Sequence, residues 1–165
     1  MSAVTSRWGR VGIAAALLVA ALGYKGGEAL LTRYRIGFNA TTSLNDWGYV
    51  IDRNNRAPRR GDLVEFVVPD NDYYPAGASF VKRVAGVPGD LVERRGDEVF
   101  VAGAKVGKVK AHDSQGRPAA PGPLGVIPQG HFFVAGEHVD SLDSRYAIVG
   151  FIENRRIRGV GEPIL

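Results

Sequence analysis

The sequence predicts a mainly β domain, antiparallel and either barrel-like or folded on itself, behind an N-terminal membrane or signal helix. Two observations favour this fold class. An uninterrupted apolar run at residues 11–23 follows Arg7 and Arg10, which is typical of a secretory or membrane-insertion signal. The rest of the chain has short segments rich in β-branched and aromatic residues, separated by Gly-Asp turns, with no long helical period. We therefore predict a signal segment with its linker at residues 1–35 and a β domain at 36–165.

The apolar run is short for a membrane span. At 1.5 Å per residue it would extend about 20 Å, less than the ~30 Å hydrocarbon core. Trp8 and Tyr24 flank it and could lengthen it as interfacial residues, which favours a short signal-anchor. The small residues Ala21 and Gly23 have the spacing of a cleavage site, so a removed signal peptide is the alternative. In both cases we expect the β domain to lie outside the cytoplasm.

Strands are predicted wherever the β-branched and aromatic residues cluster. The predicted strands are residues 48–51, 63–68, 79–85, 98–102, 131–135 and 147–152. Residues 113–125 are rich in proline and glycine and are predicted to form an exposed loop within the domain.

Composition excludes several kinds of site. The chain has no cysteine, which excludes a disulfide framework, thiolate catalysis and cysteine-based metal sites. His112, His131 and His138 show none of the compact spacings of a zinc site, and there is no phosphate-binding P-loop. The net charge is +4 with scattered arginines, which is typical of a solvated basic surface. We expect no metal, no organic cofactor and no nucleic-acid partner.

Lys82 draws attention because it lies in an apolar strand. Alternation with period two places Phe80, Lys82 and Val84 on one face of the predicted strand. Burial favours a neutral amine, and a neutral amine beside a hydroxyl can act as a general base. Lowering its pKa from ~10.4 to about 7–8 corresponds to about 4 kcal/mol. The alternative is an edge lysine whose ammonium extends into water.

Two polar segments flank Lys82 in the sequence. A hydroxyl-rich stretch upstream contains Ser43, a candidate nucleophile in a loop. A segment downstream contains Ser141, which could hydrogen-bond an amine, and Asp143 and Arg145, which could form a charge pair. Each segment by itself is also typical of a polar turn or cap.

Together and in this order, the segments resemble the conserved boxes of the type I signal peptidases, the serine–lysine proteases of the S26 clan. The matching segments are residues 43–44 (SL), 80–90 (FVKRVAGVPGD) and 141–146 (SLDSRY). The resemblance extends over about residues 38–150 and implies the folded β sheet of that family. Within the clan, the small size, the single N-terminal segment and residues 105–118 resemble the TraF branch of conjugative-transfer peptidases, which process pilin precursors.

The resemblance implies a role for each site residue. Ser43 would be the nucleophile and Lys82 the general base, and the Thr41 hydroxyl with the Ser43 backbone N–H would form the oxyanion hole. Supporting residues would orient the lysine amine and brace the site, and they are Ser141, Asp143 and Arg145. A fixed donor to a developing oxyanion is worth about 2.7–4 kcal/mol.

The implied activity is that of a membrane-associated serine endopeptidase at the inner membrane, with its catalytic domain in the periplasm. Its partners would be the lipid bilayer and a membrane-bound exported precursor, a conjugative pilin that is cleaved and, in one variant of the chemistry, cyclised. No oligomeric state is indicated.

Three alternatives remain open at this point. One is a general type I signal peptidase that removes secretory leaders. Another is a catalytically silent, membrane-tethered module that binds secretion-system components, which residues 45–47 (NDW) keep open because the family has proline there. The third is that His138, paired with Asp140, is the general base instead of Lys82, because a histidine needs no large pKa shift to accept a proton.

Overall fold

The computed structural model describes residues 7–38, 44, 48–113 and 115–164. The chain divides into two compact units, Met1–Tyr34 and Arg35–Leu165. The first contains a single described helix and the second contains the β structure.

Helix α1 covers Arg7–Arg33, and its many alanines and leucines favour the helical backbone. Its 27 residues correspond to about 40 Å at 1.5 Å per residue. The predicted apolar run lies inside α1, and the predicted linker continues the same helix to Arg33. The Arg33 guanidinium lies 4.9 Å from the centre of the Tyr34 ring, where the first strand begins. Within the described ranges, no helix combines the length and the apolar character needed to cross a membrane.

Short strands make up most of the second unit. They are β1 (Tyr34–Phe38), β2 (Gly48–Asp52), β3 (Leu63–Val67), β4 (Ser79–Gly86), β5 (Leu91–Arg95), β6 (Glu98–Val101), β7 (Ala104–Lys108), β8 (Gly125–Val126), β9 (His131–Ala135), β10 (Ile152–Glu153) and β11 (Ile157–Pro163). Seven of them form one sheet in the order β1-β2-β11-β3-β4-β9-β10, and the others form a four-stranded sheet in the order β7-β6-β5-β8. The pairs β2–β11, β11–β3, β3–β4, β4–β9 and β9–β10 are antiparallel.

The seven-stranded sheet is apolar on both faces in its central strands. On one face, Val64, Phe66 and Val84 belong to a buried cluster that Phe80 also contacts. On the other, the buried residues Leu44, Tyr49, Ile51 and Leu63 pack with Val81, and we call this surface the Leu44 face. β3 and β4 contribute alternate residues to the two clusters. The sequences of these two strands are therefore nearly continuous apolar runs.

A third cluster joins the two sheets. Val92, Val101 and Ile127 of the smaller sheet and its connections pack with Phe133 of β9. Gly86 is required at the junction, because a Cβ there would lie 2.5 Å from Ile127 Cδ1 and 2.7 Å from Val101 Cγ1. The smaller sheet is therefore packed directly onto the end of β4.

The predicted fold class, mainly antiparallel β with an N-terminal helix, is confirmed. Five of the six predicted strands correspond to β2, β3, β4, β6 and β9. The predicted strand at residues 147–152 is wrong. The amides of Val149 and Gly150 both donate to the Tyr146 carbonyl, at 3.1 and 2.9 Å, and Gly150 has φ +61°. This tight turn prevents an extended backbone, so only Ile152 and Glu153 form a strand.

Candidate active site

Lys82 is buried within the large sheet. It lies in β4 opposite Val64 of β3, and only 5% of its surface is exposed. Its Nζ donates a hydrogen bond of 2.9 Å to Ser141 Oγ. Burial lowers the pKa of Lys82 from 10.5 to about 8, the Asp143 charge opposes this shift, and the Arg145 charge adds to it. The alternative, in which the lysine ammonium extends into water, is therefore wrong.

The loop after β9 places Ser141 beside Lys82. The Ser144 amide donates to the Val134 carbonyl at 3.0 Å, and the Val134 amide donates to Ser144 Oγ at 3.0 Å. These two bonds fold the loop back onto β9, which is the neighbour of β4 in the sheet. Ser141 is therefore held close to β9, and β9 pairs with β4, the strand that contains Lys82.

A buried ion pair braces this loop. Arg145 Nε and Nη2 donate to the two carboxylate oxygens of Asp143, each at 2.8 Å, and both side chains are buried. Asp143 Oδ2 also accepts the Gly136 amide at 2.8 Å, and Arg145 Nη2 donates to the Ser141 carbonyl at 3.2 Å. Buried charges are tolerated when they are paired and fully hydrogen-bonded, as here. The pair therefore fixes the backbone on both sides of Ser141.

Two glycines, one in β7 and one in the loop before β8, allow neighbouring segments to approach the brace. A Cβ at Gly122 would overlap the Ser144 carbonyl oxygen, and one at Gly107 would overlap the Arg145 guanidinium. The Gly122 amide donates to the Arg145 carbonyl at 2.7 Å. The proline- and glycine-rich stretch, predicted to be an exposed loop, is mostly exposed and also contributes one contact to the buried residues Ser144 and Arg145.

Of the residues predicted from the sequence, the structure brings Lys82, Ser141, Asp143 and Arg145 together. Thr41 and Ser43 lie outside the described residues. Leu44, which follows Ser43 in the sequence, is 5% exposed and packs on the Leu44 face with Val81.

His138 contributes its backbone to this region. Its carbonyl accepts hydrogen bonds from the Ser141 amide at 3.1 Å and from Arg145 Nη2 at 3.3 Å. Its side chain is 43% exposed, and its Nδ1 lies 3.9 Å from Asp140 Oδ2. Among the residues that the structure describes, no group of acidic and histidine side chains could hold a metal ion.

One charged pair was not anticipated from the sequence. Glu65 of β3 is only 5% exposed, and its Oε1 accepts a hydrogen bond of 2.8 Å from Arg35 Nη1 of β1. The signal was an acidic residue inside the apolar run 63–68, a position where a solvated charge is not expected.

A cleft of about 790 Å³ lies beside the loop of Ser141. Leu142 and Tyr146 line it together with residues of the loops near Tyr73 and Arg117. Four of its charged groups form pairs, Lys110 with Asp140 and Arg117 with Asp113, and the Arg117 guanidinium lies 3.9 Å from the Tyr73 ring centre.

The first half of β4 has an open edge. Residues 79–83 pair with β3 on one side, whereas pairing with β9 begins only at Arg83. Among the described strands, none covers the second edge of residues 79–82. An extended peptide can add to such an edge by backbone hydrogen bonds, and here it would end beside Lys82.

Comparison with known proteins shows the family of the chain. The family model "Signal peptidase, peptidase S26" matches residues 6–165. The conjugal transfer protein TraF of Agrobacterium fabrum is 29% identical over 152 residues, which are 82% of this chain and 84% of TraF. The TraF protein of Agrobacterium tumefaciens is 30% identical over 72% of this chain and 75% of its own length.

Signal peptidases I are also similar to the chain. That of Bacillus licheniformis is 31% identical over 63% of this chain, and the match covers 57% of its own length. A solved signal peptidase I from Enterococcus faecalis is 26% identical, with a TM-score of 0.41, over 64% of this chain and 97% of that one. The resemblance to the S26 clan and its TraF branch is confirmed by these matches. The chain belongs to the peptidase S26 family of signal peptidases and is a signal-peptidase-like serine protease.

Proposed function

We propose that the chain is an endopeptidase with a serine–lysine dyad. Neutral Lys82 takes the proton from the Ser43 hydroxyl as Ser43 Oγ bonds to the scissile carbonyl carbon. The Thr41 hydroxyl and the Ser43 amide stabilise the resulting oxyanion. Collapse of this intermediate breaks the C–N bond, and Lys82 returns the proton to the leaving amine. Water then hydrolyses the acyl-enzyme ester, with Lys82 again acting as the base.

The observation that carries this proposal is the environment of Lys82. A lysine with its usual pKa is almost fully protonated at neutral pH and cannot accept a proton. Burial lowers the pKa of Lys82 to about 8, so roughly a tenth of the molecules hold a neutral amine at pH 7. Ser141 Oγ, at 2.9 Å, orients that amine. No cofactor is required for this chemistry.

Two further observations support the placement of nucleophile and substrate. Leu44, the residue after Ser43, is buried against Val81 of β4. Val81 precedes Lys82 in the sequence, so the chain after Ser43 is anchored on the strand that carries the proposed base. The open edge at residues 79–82 would hold the substrate extended, with its scissile bond near Lys82.

The proposed substrate is an exported, membrane-bound precursor, and the TraF relatives favour a conjugative pilin. We place the protein at the inner membrane with its catalytic domain in the periplasm. The acyl-enzyme could be resolved by water or by an amine of the substrate itself, and the latter product would be cyclic.

The test is processing of a co-expressed pilin precursor by the wild type, Ser43→Ala and Lys82→Ala, followed by mass spectrometry. We expect processing by the wild type alone, and a product lighter than the linear peptide by one water would identify cyclisation. Normal processing by Lys82→Ala would refute the dyad and make His138 the next base to examine. Failure of the folded wild type on every precursor would favour a binding module.

A second candidate is a general signal peptidase that removes secretory leaders. The likeness to Bacillus signal peptidases I favours it. Competition between a leader-bearing preprotein and a pilin precursor in one reaction separates the two. Preferential cleavage of the preprotein would support the second candidate.

A further inference from the structure

Glu65 holds a buried carboxylate oxygen that has no partner among the described residues. Its Oε1 accepts a single hydrogen bond from Arg35 Nη1, whereas its Oε2 is buried and accepts none from any described residue. An ionised carboxylate can accept several hydrogen bonds, and an unsatisfied buried acceptor costs about 1–3 kcal/mol. A carboxyl group that is buried at such a cost inside a strand is a candidate functional group.

Glu65 lies on the Leu44 face of the sheet, opposite to the face that carries the Lys82 side chain. Side chains alternate along β3, and Glu65 is therefore on the same face as Leu63, a member of the Leu44 face. Glu65 is directly opposite Val81 of β4, and such neighbours have Cβ atoms about 4.5–5.5 Å apart. Glu65 is thus one strand away from the open edge of β4.

We propose that Glu65 selects precursors with a lysine or arginine a few residues before the cleaved bond. This inference rests on the proposed endopeptidase function. A substrate strand added to the open edge of β4 would be two strand spacings from β3, about 10 Å. A long cationic side chain pointing to the Leu44 face could cross Val81 and reach the Glu65 carboxylate, whereas serine or alanine could not.

Arg35 of β1 makes with Glu65 the kind of contact that a substrate cation would make. Its side chain is 58% exposed while that of Glu65 is 6% exposed, so the arginine covers the carboxylate from the solvent side. Arg35 uses one nitrogen on one oxygen, instead of the two-pronged pairing that Arg145 makes with Asp143. Among the described residues, displacing Arg35 breaks one partly exposed contact with Glu65, and a substrate cation would replace it.

The experiment uses the full chain in detergent and synthetic peptides with alanine before the cleaved bond. Lysine or norleucine, which has a similar length and no charge, is placed in turn at each of the five preceding positions. We expect one position at which lysine raises kcat/KM about tenfold or more over norleucine. Glu65→Gln should reduce that ratio to near one, and Arg35→Met should raise it because the competing cation is gone.

Glu98→Gln is the matched control, since Glu98 also pairs with a basic residue, Lys105, in the smaller sheet; its ratio should equal that of the wild type. Thermal unfolding of Glu65→Gln checks that the variant folds. A structural role for the Arg35–Glu65 pair would change stability without moving the ratio.

Binding of the same peptides to Ser43→Ala, measured by calorimetry, separates this inference from the proposed function. Lysine-dependent binding without cleavage by the wild type would refute the peptidase and retain the cation site. The cation site would be overturned, and the peptidase retained, by either of two results. One is cleavage in which lysine and norleucine give equal kcat/KM at every position; the other is a preference for lysine that persists in Glu65→Gln. Absence of both cleavage and binding would overturn both.

Discussion

Lys82 and Ser141 are 59 positions apart in the sequence, and Lys82 Nζ donates a hydrogen bond of 2.9 Å to Ser141 Oγ. The contact depends on the pairing of β4 with β9 and on the fold of the loop that follows β9 onto its own strand. The environment that lowers the pKa of Lys82 is therefore produced by the same elements that position its hydrogen-bond partner.

Replacing the buried amine should stabilise the protein and abolish its activity. The difference between 10.5 and about 8 in the pKa of Lys82 corresponds to about 3 kcal/mol against folding at neutral pH. Lys82→Met should raise the free energy of unfolding at pH 7 by up to that amount, and turnover should fall by about 10²–10⁴-fold. Urea unfolding and peptide cleavage measure the two effects, with the exposed Lys110→Met as control.

The stability difference should also depend on pH with a definite sign. Between pH 8 and 10.5 the unfolded state retains a proton on Lys82 that the folded state has lost, so the free energy of unfolding of the wild type rises with pH in this window. The advantage of Lys82→Met should shrink as pH rises from 8 to 10.5. An advantage that stays constant across the window would show that Lys82 is not the group responsible.

Removing the hydroxyl of Ser141 should affect turnover and its pH profile. The wild-type rate should rise with pH through about 8, as Lys82 loses its proton. Ser141 Oγ accepts a hydrogen bond from the Lys82 amine. Because Ser141→Ala removes this stabilisation of the ammonium, the pKa of Lys82 should fall and the rate should rise at a lower pH than in the wild type. The plateau rate should fall by about tenfold or more, because the amine loses its orientation.

Thr32→Val, which removes a hydroxyl from an exposed residue of α1, is the control for Ser141→Ala. Its kcat profile from pH 5 to 10 should coincide with that of the wild type. A Ser141→Ala profile that also coincides would remove Ser141 from the site.

The buried and the exposed ion pairs should respond differently to the same substitution. Asp143→Asn leaves the Arg145 guanidinium buried with its charge uncompensated, and breaking such a pair costs about 3–5 kcal/mol. Asp97→Asn breaks an exposed pair with Lys108 and should change stability little, because water screens that interaction. Denaturant unfolding at pH 7 compares them, and equal effects would contradict a structural brace at Asp143.

A methyl group at Gly122 should disturb the site from a distance. The added Cβ would overlap the Ser144 carbonyl oxygen, and backbone atoms cannot rotate away as side chains do. Gly122→Ala should therefore destabilise the protein by about 1–3 kcal/mol and reduce turnover. Gly26→Ala, with no atom within 4 Å of the added Cβ, is the control, and calorimetric melting together with cleavage assays distinguishes the two.

Local patterns were sufficient where a strand buries one or both faces. The segments of β3 and β4 are dense in apolar residues, and both strands formed close to their predicted positions. The segment of β11 contains two glycines, an arginine and a glutamate within Ile157–Pro163, so its sequence carries no strand signal. It forms a strand because it lies between β2 and β3 and completes their hydrogen bonds.

The sequence by itself determined the fold class, the family resemblance and the identity of the candidate site residues, because alternation, turn residues and short motifs are local properties of the chain. Only the tertiary structure decided the burial of Lys82, the two-pronged pairing of Asp143 with Arg145, and the one Glu65 oxygen that lacks a partner among the described residues. The physical reason is that desolvation and hydrogen-bond satisfaction depend on atoms contributed by strands distant in sequence. A lysine in an apolar run can extend into water or become a base, and the packing around it determines which.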